Sequence, residues 1–336
     1  MMTDLLLTYI VPVYNMERFI GRCLQSLVKQ GLPEEAYEII VVDDGSTDGS
    51  RSVVEAVAQS WPQIRLLTQD NQGVSQARNL ALEAARGKYV QFVDSDDLLQ
   101  EGQMASLVQR AMDDDLDVLV FNYNIADISG QVTHAACDTV VVPDEVTSGV
   151  EYLQHHRMSP YVWRYLIRRD FIISNGWRFD KELIVCEDGD FIAHFLLDAE
   201  RVVASDKAPY CYVNRSDSAM HNQDRDHLRN RILSQVNSAI SIEETIREYE
   251  KKTSKAAPAS ARGLRNVYLY FSMTKALTTG CVDETLAAMK QAGLYPFPCV
   301  GPEADYSGAK WRVIHRLMMC PRLWKFLSVI YRAIKK

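Results

Sequence analysis

The first third of the chain alternates between short apolar runs and longer segments whose apolar residues recur at helical spacing. The runs have the length of β-strands and lie at 5–13, within YEIIVVDDGSTD, at 64–68 and within KYVQFVDSD. The segments between them, 17–30, 50–60 and 73–85, carry apolar residues every three to four positions, as amphipathic helices do. This alternation predicts an α/β fold with a mostly parallel, Rossmann-like sheet flanked by helices.

Beyond this region the pattern is less regular. The regular alternation ends after 116–124, and 160–170 has the pattern of either a helix or a strand running into a helix. A helix is expected at 187–197, APYCYVNRSDSAMH has the pattern of a strand followed by a polar loop, and 224–290 are mostly helical in pattern. We therefore predict an α/β domain over 1–220, a helical C-terminal region over 221–305 and a basic amphipathic tail helix over 306–336.

Polar residues follow three of the predicted strands directly. They are Tyr14-Asn15, Asp43-Asp44 and Asp94-Ser95-Asp96. Because ligands of parallel α/β sheets bind outside the carboxyl ends of the strands, we expect these residues to share one ligand-binding edge.

The segment VQFVDSDDL places three carboxylates within four residues, and these repel one another unless a cation or strong donors lie among them. One interpretation is that they are solvated turn residues or helix caps. The other is a site for a hard divalent cation, which takes carboxylate and phosphate oxygens together. On an extended strand end, the period of two would turn Asp94 and Asp96 to one side and Asp97 away.

The other strand ends also allow two interpretations. Asp44 could cap the next helix, or accept hydrogen bonds from a nucleoside as acids do in nucleotide-binding folds. Tyr14 could pack in the core or offer its ring to a base. Gly73 lies in a turn before a predicted helix, whose N-terminus suits an anion, and Arg78 in the second turn could reach a base or diphosphate or form a surface ion pair.

A second acidic pair, Glu187-Asp188, lies at the start of a predicted helix. Acids in a first turn complement the helix dipole, so the pair could be structural. A carboxylate there could equally serve as a general base, if its surroundings keep it poised near neutral pH.

Charge is distributed unevenly along the 336 residues. The net charge is −7, but residues 1–309 hold 29 basic and 44 acidic residues, whereas 310–336 hold eight basic residues and no acidic one. The seven cysteines are odd in number and scattered, without a C-x-x-C pair, which favours reduced thiols in the cytoplasm. No signal peptide and no apolar run long enough to span a bilayer is visible in the sequence.

The basic tail, KWRVIHRLMMCPRLWKFLSVIYRAIKK, places apolar residues on helical stripes between basic ones. It could pack on the body of the protein. It could also lie on an anionic membrane as an interfacial helix. We expect this second arrangement, with the helix at the inner face of the plasma membrane.

Four segments together resemble the family 2 glycosyltransferases, which have the nucleotide-diphospho-sugar transferase (GT-A) fold. They are YIVPVYNMERFIGRCLQSLVKQ, EIIVVDDGSTDGS, NQGVSQARNLALEAARGKYVQFVDSDD and CEDGDF. The resemblance covers roughly residues 5–220 and implies this fold with a mostly helical C-terminal extension. It also implies transfer of a sugar from a UDP-sugar to a hydroxyl of a glycan or lipid-linked acceptor, in cell-surface polysaccharide synthesis.

The resemblance also implies roles for individual residues. Asp44 would hold the nucleoside, and Gly73 and Arg78 would approach the base and the diphosphate. Asp94-Ser95-Asp96 matches the family's D-x-D motif, with Asp94 near the ribose and Asp96 on Mn²⁺ or Mg²⁺. The residues that would cradle uracil and ribose are Pro12, Val13 and Tyr14. Candidates for a histidine metal ligand and for phosphate binding, in the loop after the base, are His221, Arg215 and Ser218.

In the same comparison, Asp188 within Glu187-Asp188-x-x-Phe191 matches the catalytic base. The expected mechanism is direct displacement at the anomeric carbon, with inversion and no covalent intermediate, as in hexosyltransferases. Two other functions are alternatives: a sugar-nucleotide pyrophosphorylase, and a catalytically silent nucleotide-sugar-binding subunit. The first would need a glycine-rich basic loop after the first strand, where this chain has VPVYNMERF, and the intact acidic motifs argue against the second.

Overall fold

The computed structural model describes residues 5–136, 145–215, 225–295 and 320–334. The chain forms two compact units. The first, which we call the sheet unit, contains Met1–Tyr152, Tyr161–Lys181 and Ala199–Ser216. The second, the helical unit, contains Leu153–Pro160, Glu182–Asp198 and Asp217–Lys336. The segment 182–198, which we predicted within a continuous domain over 1–220, therefore groups with the helical unit.

The sheet unit is built on a nine-stranded sheet. The strands are β1 (Leu7–Val13), β2 (Tyr37–Asp43), β3 (Ile64–Thr68), β4 (Tyr89–Phe92), β5 (Leu98–Leu99), β6 (Val118–Ala126), β7 (Val132–Ala136), β8 (Tyr165–Arg168) and β9 (Val202–Val213). The helices that accompany them are α1 (Ile20–Leu27), α2 (Ser50–Ala58), α3 (Val74–Ala84), α4 (Met104–Asp113) and α6 (Arg169–Ser174). A further helix, α5 (Gly149–His155), divides between the two units.

The strand order is β3-β2-β1-β4-β8-β6-β9-β5, with β7 paired to β6. The strands β1 to β4 are parallel, as predicted, because each is joined to the next by a helical crossover. Beyond β4 the sheet is mixed: β8 is antiparallel to β4 and β6, whereas β9 is parallel to β6. The segment 160–170 is thus a 3₁₀ turn and a strand leading into a helix, the second of its two predicted forms.

The predicted apolar runs are the centre of the core. All seven residues of β1 and all seven of β2 are buried, as expected for strands covered on both faces. Helix α1 begins at Ile20 and buries Ile20, Cys23, Leu24 and Leu27, which share one face at the spacing read from the sequence.

A buried carboxylate stabilises the sheet at the amino-terminal ends of its parallel strands. Glu38, at the start of β2, accepts hydrogen bonds from the Thr8 hydroxyl (2.9 Å), the Arg86 guanidinium (2.7 Å) and Arg65 Nη1 (3.0 Å). Burial raises the pKa of this carboxyl, but the bonds from Arg86, Arg65 and Thr8 outweigh it, so the pKa is lowered. Glu38 is therefore a structural acid at the far end of the strands.

The described part of the helical unit contains five helices of 10 to 29 residues. They are α7 (Glu187–Asp198), α8 (Arg225–Thr253), α9 (Ala259–Thr279), α10 (Val282–Gln291) and α11 (Pro321–Ile334). Within the described ranges, no helix combines the length and the apolar character that a membrane crossing requires. All five described cysteines are free thiols.

The last helix, α11, has two different faces. Trp324 and Ser328 are buried, and the Ser328 hydroxyl donates a hydrogen bond to the Leu277 carbonyl of α9 (2.9 Å). Phe326 and Val329 lie on the surface, with 61% and 59% of their area exposed. This part of the tail therefore packs on the helical unit while it presents apolar side chains outward; the predicted stripe at 311–318 lies outside the described residues.

Candidate active site

Three polar segments meet at one edge of the sheet. The chain leaves β1 at Val13, β2 at Asp43 and β4 at Phe92, and these strands are adjacent and parallel. The strand order reverses at β1, which has β2 on one side and β4 on the other. Ligands of open α/β sheets bind where the order reverses, so the structure brings the predicted strand-end residues to such a position.

The loop after β1 is joined to the turn after β2 by side-chain hydrogen bonds. Asn15 is in the left-handed conformation, with φ 53°. Its side-chain Oδ1 accepts a hydrogen bond from the Thr47 backbone amide (2.8 Å), and its backbone amide donates one to the Ser46 hydroxyl (3.0 Å). Pro12 and Val13 are buried, while the Tyr14 side chain remains 43% exposed. The aromatic ring of Tyr14 is thus held at the edge by a fixed backbone and is accessible to a ligand.

Asp44 organises the turn that precedes α3. Its carboxylate accepts hydrogen bonds from Gln69 Nε2 (2.7 Å), the Gln72 amide (2.8 Å) and the Gly73 amide (2.9 Å). A carboxylate has about four acceptor positions, so three of them are used within the protein. The sequence predicted a nucleoside contact here, and the structure adds a second role, the shaping of the turn at the N-terminus of α3.

Two residues of α3 and its cap complete this side of the edge. Gly73 has φ 89°, a left-handed conformation that other residues rarely adopt, and a Cβ built there would contact nothing within 4 Å. Arg78 is buried, donates a hydrogen bond to Asp94 Oδ1 (3.1 Å) and lies 5.2 Å from the centre of the Phe179 ring. It therefore forms a partly buried ion pair with the acidic motif rather than a surface ion pair.

The acidic motif follows β4 in a turn. Strand β4 ends at Phe92, and the Asp97 amide closes the turn on the Asp94 carbonyl (3.0 Å). The predicted extended strand end at Asp94–Asp96 is therefore wrong, although Asp94 and Asp96 do remain partly accessible, with 34% and 23% of their side chains exposed. Ser95, between them, is buried.

Asp97 has a different environment. It is 1% exposed and accepts hydrogen bonds from the Tyr210 hydroxyl (2.7 Å) and the Val213 amide (2.7 Å) of β9. Burial, with the charges of Asp96 and Asp94 beside it, raises its pKa well above the usual value. Asp97 therefore anchors the acidic turn to β9 and leaves the other two acids for a ligand.

Each of the two accessible acids has an arginine partner. Arg78 bonds to Asp94, and Arg215 Nη2 lies 2.7 Å from Asp96 Oδ2, with its guanidinium 4.5 Å from the centre of the Phe19 ring. Burial and the charge of Asp94 raise the pKa of Asp96, and Arg215 lowers it in part. The repulsion expected from the sequence is thus relieved by two guanidinium groups.

The donor set suits a hard divalent cation that arrives with phosphate. Within the described ranges, no cluster of three or more His, Cys, Asp or Glu residues is arranged to hold a metal ion. Asp94 and Asp96 supply carboxylate oxygens only, and Mg²⁺ is commonly held by one or two carboxylates together with substrate phosphates and water. The residues fit such an ion, with Arg215 as its competitor for Asp96. Ser218 and His221, the other candidates, lie outside the described residues.

The second acidic pair begins helix α7 in the helical unit. Glu187 is buried and Asp188 is half-buried. Cys186, directly before them, has φ 63°, an uncommon conformation for a residue with a side chain. Side chains of α8 hold this segment: the Ser234 hydroxyl accepts the Ile184 amide (2.9 Å), and the Ser238 hydroxyl donates to the Cys186 carbonyl (2.8 Å).

Helix α9 also contacts the start of α7. A Cβ built at Gly189 would lie 2.3 Å from the Tyr268 hydroxyl, so only glycine allows this approach. Burial raises the pKa of Tyr268 well above its usual value, and Cys186, Asp188 and Glu187 raise it further. Asp188 is therefore fixed in a backbone that α8 and α9 define, which suits a residue whose position must be accurate.

Similarity to known proteins agrees with this geometry. The model of glycosyl transferase family 2 matches residues 8–136, which contain the loop after β1, the turn after β2 and the acidic turn. Residues 8–136 therefore belong to glycosyl transferase family 2.

Individual members of the family show how far the similarity extends. The chain is 35% identical over 211 residues to the uncharacterized glycosyltransferase EpsJ of Bacillus subtilis (strain 168), a match that covers 62% of this chain and 60% of EpsJ. It is 31% identical over 213 residues to poly(ribitol-phosphate) beta-N-acetylglucosaminyltransferase TarS of Staphylococcus aureus (strain MW2), covering 63% of this chain and 36% of TarS. The chain thus spans less than two thirds of either relative.

A solved structure extends the comparison of folds. The crystal structure of S. aureus TarS 1-349 in complex with UDP-GlcNAc matches this chain with a TM-score of 0.59 and 20% identity. The match covers 98% of this chain and 92% of the TarS chain. The predicted GT-A fold with a helical C-terminal region is confirmed.

Several residues that hold the predicted site segments of each unit in place gave no signal in the sequence. They are Asp97 as an anchor, Phe179 beneath Arg78, Ser234 and Ser238 below the start of α7, and Tyr268 against Gly189. Their contacts join residues that are far apart along the chain, for example 113 positions for Asp97 and Tyr210. Of this set, only Gly189, between Asp188 and Asp190, carried a local hint of close packing.

Proposed function

We propose that this family 2 protein is an inverting, metal-dependent hexosyltransferase. It moves a sugar from a UDP-sugar to a hydroxyl group of a glycan or lipid-linked acceptor, in cell-surface polysaccharide synthesis. The observation that carries the proposal is the pair of accessible carboxylates, Asp94 and Asp96, at the point where the strand order reverses. The name of the relative TarS, a poly(ribitol-phosphate) beta-N-acetylglucosaminyltransferase, supports both sugar transfer and a polymer as acceptor.

The donor's nucleoside binds beside β1 and β2 in this proposal. The Tyr14 ring lies against the uracil, above the buried Pro12 and Val13, and the remaining acceptor position of Asp44 bonds to the nucleoside. The N-terminus of α3 at Gly73 and the guanidinium of Arg78 approach the diphosphate. TarS has been solved with UDP-GlcNAc, which supports a UDP-sugar as the donor class.

Asp96 holds Mn²⁺ or Mg²⁺ in this proposal, with His221 as the second candidate ligand. When bound, the ion stabilises the negative charge that develops on the departing diphosphate. Arg215 exchanges its bond to Asp96 for the phosphate oxygens, so its positive charge remains beside the leaving group, and Ser218 is a further phosphate contact.

Proton removal is assigned to Asp188. Its carboxylate accepts the proton of the acceptor hydroxyl as that oxygen attacks the anomeric carbon from the face opposite UDP. The C–O bond to UDP breaks while the new glycosidic bond forms, so one displacement inverts the configuration. Glu187 lies beside Asp188 in the same first helical turn, where acidic side chains complement the helix dipole.

Release of UDP distinguishes this function from its alternatives. We expect one member of a panel of UDP-sugars to yield UDP slowly with Mn²⁺ alone, and faster when a glycan acceptor is added. A silent binding subunit would bind UDP-sugars without releasing UDP. A pyrophosphorylase would release UTP when pyrophosphate is added, and either result would remove the transferase proposal.

We also propose that the tail lies at an anionic membrane surface, as a peripheral contact on the cytoplasmic side. The support is the exposed apolar side chains Phe326 and Val329 on a segment that carries eight basic and no acidic residues over 310–336. Trp324 and Ser328 are buried against the helical unit, so one face of the helix packs on the protein while the face with Phe326 and Val329 can contact a membrane.

Charge placed on the exposed face tests the membrane contact. The double variant Phe326→Asp with Val329→Asp should reduce cosedimentation with phosphatidylglycerol vesicles about tenfold or more, because charges replace two exposed apolar side chains that the membrane would bury. Ile128→Asp, at a residue 50% exposed on the sheet unit, is the matched control. Equal sedimentation of the double variant and the wild type, or no preference for anionic over phosphatidylcholine vesicles, would leave α11 as a packing helix only.

A further inference from the structure

Four aromatic rings with parallel planes form a stack at the edge of the sheet that carries the acidic turn. Trp163 and Tyr210 are buried and stack with their centres 4.2 Å apart and their planes at 9°. The Tyr161 ring lies 5.0 Å from Trp163 at 13°, and the Tyr212 ring lies 6.4 Å from it at 14°. Tyr123 packs edge-on against Trp163 at 4.9 Å. We call these five residues the aromatic stack.

The outer members of the stack are accessible. Tyr161 is 41% exposed and Tyr212 is 37% exposed, whereas Trp163 and Tyr210 beneath them are 3% and 0% exposed. Core packing explains the inner pair. It does not explain two large rings held parallel to that pair with much of their area in solvent, and exposed aromatic surface of this kind is typical of binding sites.

Strand register places the stack at the same edge as the acidic turn. Strand β8 is antiparallel to β4, so Tyr161 and Trp163, just before β8, lie beyond the carboxyl end of β4. In β6 and β9, Tyr123 pairs with Tyr210, and Tyr212 follows two residues later toward the same end. In the strand order, β1 to β3 with the nucleoside residues lie on one side of β4, and β8, β6 and β9 with the stack lie on the other.

Direct bonds connect the stack to the acidic turn. The Tyr210 hydroxyl donates to Asp97 (2.7 Å) and accepts the Asp94 amide (3.1 Å). The Val213 amide, next to Tyr212, donates to the same Asp97 carboxylate (2.7 Å). Gln91 of β4 donates to the Trp163 carbonyl (2.6 Å). The stack therefore has a fixed position relative to the D-x-D residues.

We propose that Tyr161 and Tyr212 bind a sugar ring of the acceptor glycan by stacking. The apolar C–H face of a pyranose lies on the aromatic faces, and its hydroxyl groups point to water. The inference rests on the proposed transferase function and narrows the acceptor to a chain with pyranose rings near its reactive end. Tyr161 and Tyr212 are thus positioning residues that select the acceptor, and they do not act on the donor.

The first test measures sugar binding without catalysis. Saturation-transfer NMR with maltopentaose, cellopentaose and chitopentaose should detect binding of at least one sugar to the wild type. Tyr161→Ala and Tyr212→Ala should each weaken it about three- to tenfold, as expected for one stacking ring. Tyr161→Phe and Tyr212→Phe keep the rings and should bind nearly as the wild type does. Phe271→Ala, at an aromatic residue 45% exposed on the helical unit, is the matched control.

The second test separates the acceptor from the donor. At saturating UDP-sugar, the alanine variants should raise the KM for the bound sugar as acceptor by the same factor. They should leave the rate of UDP release without acceptor unchanged. Wild-type binding of none of the three sugars, or equal binding by the alanine variants, overturns the stacking site. If the variants lose sugar binding but no UDP-sugar yields UDP in the wild type, the transferase proposal fails while the sugar site stands.

Discussion

Replacing Asp188 by asparagine is expected to lower sugar transfer by roughly a hundredfold to ten-thousandfold, the range that a general base contributes. The two side chains have nearly the same shape, so the start of α7 should keep its contacts with α8 and α9. Asparagine has no carboxylate to take the proton of the acceptor hydroxyl. Affinity for UDP should stay close to that of the wild type, because Asp188 has no part in nucleotide binding in the proposal.

The measurements are acceptor-dependent UDP release, UDP affinity by titration calorimetry and the midpoint of thermal unfolding. A small loss of stability is expected, because a negative charge in the first turn of a helix contributes about 0.3–1 kcal/mol. Asp198→Asn, in the same helix at an acid that pairs with Lys252 (3.0 Å), makes the same chemical change away from the first turn. Near-normal turnover of Asp188→Asn would show that another group is the base.

Replacing Asp96 by alanine is expected to remove the metal dependence of UDP binding. In the wild type, Mn²⁺ should raise UDP affinity relative to EDTA, since Asp96 and the diphosphate hold the ion together. In Asp96→Ala that gain should fall by about 10–100-fold or more, the loss produced even by removing residues that only support a metal ligand. Without metal, the variant should bind UDP at least as well as the wild type, because Arg215 no longer has Asp96 as a partner.

Two further variants serve as controls for the effect of Asp96→Ala. Asp96→Asn keeps the shape of the side chain and should lose most of the metal effect too, which separates loss of charge from collapse of the turn. Asp170→Ala, at an exposed acid of the sheet unit, should keep the full effect of Mn²⁺. Equal UDP affinity of the wild type with Mn²⁺ and with EDTA would contradict the metal role of Asp96.

The sequence predicted which strand-end residues lie together because the relevant information is local. An apolar run of strand length followed by polar residues marks the end of a strand. Parallel strands place those ends together, so Tyr14, Asp44 and Asp94 were grouped correctly at one edge. The same locality explains the error at the acidic motif: the apolar run does not show where β4 ends, and the chain turns at Ser95 and Asp96.

The partners of these residues were beyond the reach of local patterns. Arg78 and Arg215 were both predicted to contact the nucleotide, yet their pairing with Asp94 and Asp96 joins residues 16 and more than 100 positions apart. A charged side chain needs a partner when it is buried, but the local sequence does not show which residue that partner is.

By itself, the sequence determined the parallel β1–β4 sheet, the apolar faces of its helices and the family, because hydrophobic period and motif order are properties of consecutive residues. The tertiary structure alone decided the mixed second half of the sheet, the burial of Asp97, the arginine partners of the acids and the aromatic stack. Each of these depends on which distant segments become neighbours, and that is fixed by the packing of the whole unit. The aromatic stack combines residues of β6, of β9 and of the turn that precedes β8. The separate patterns of these three segments gave no sign of a common surface.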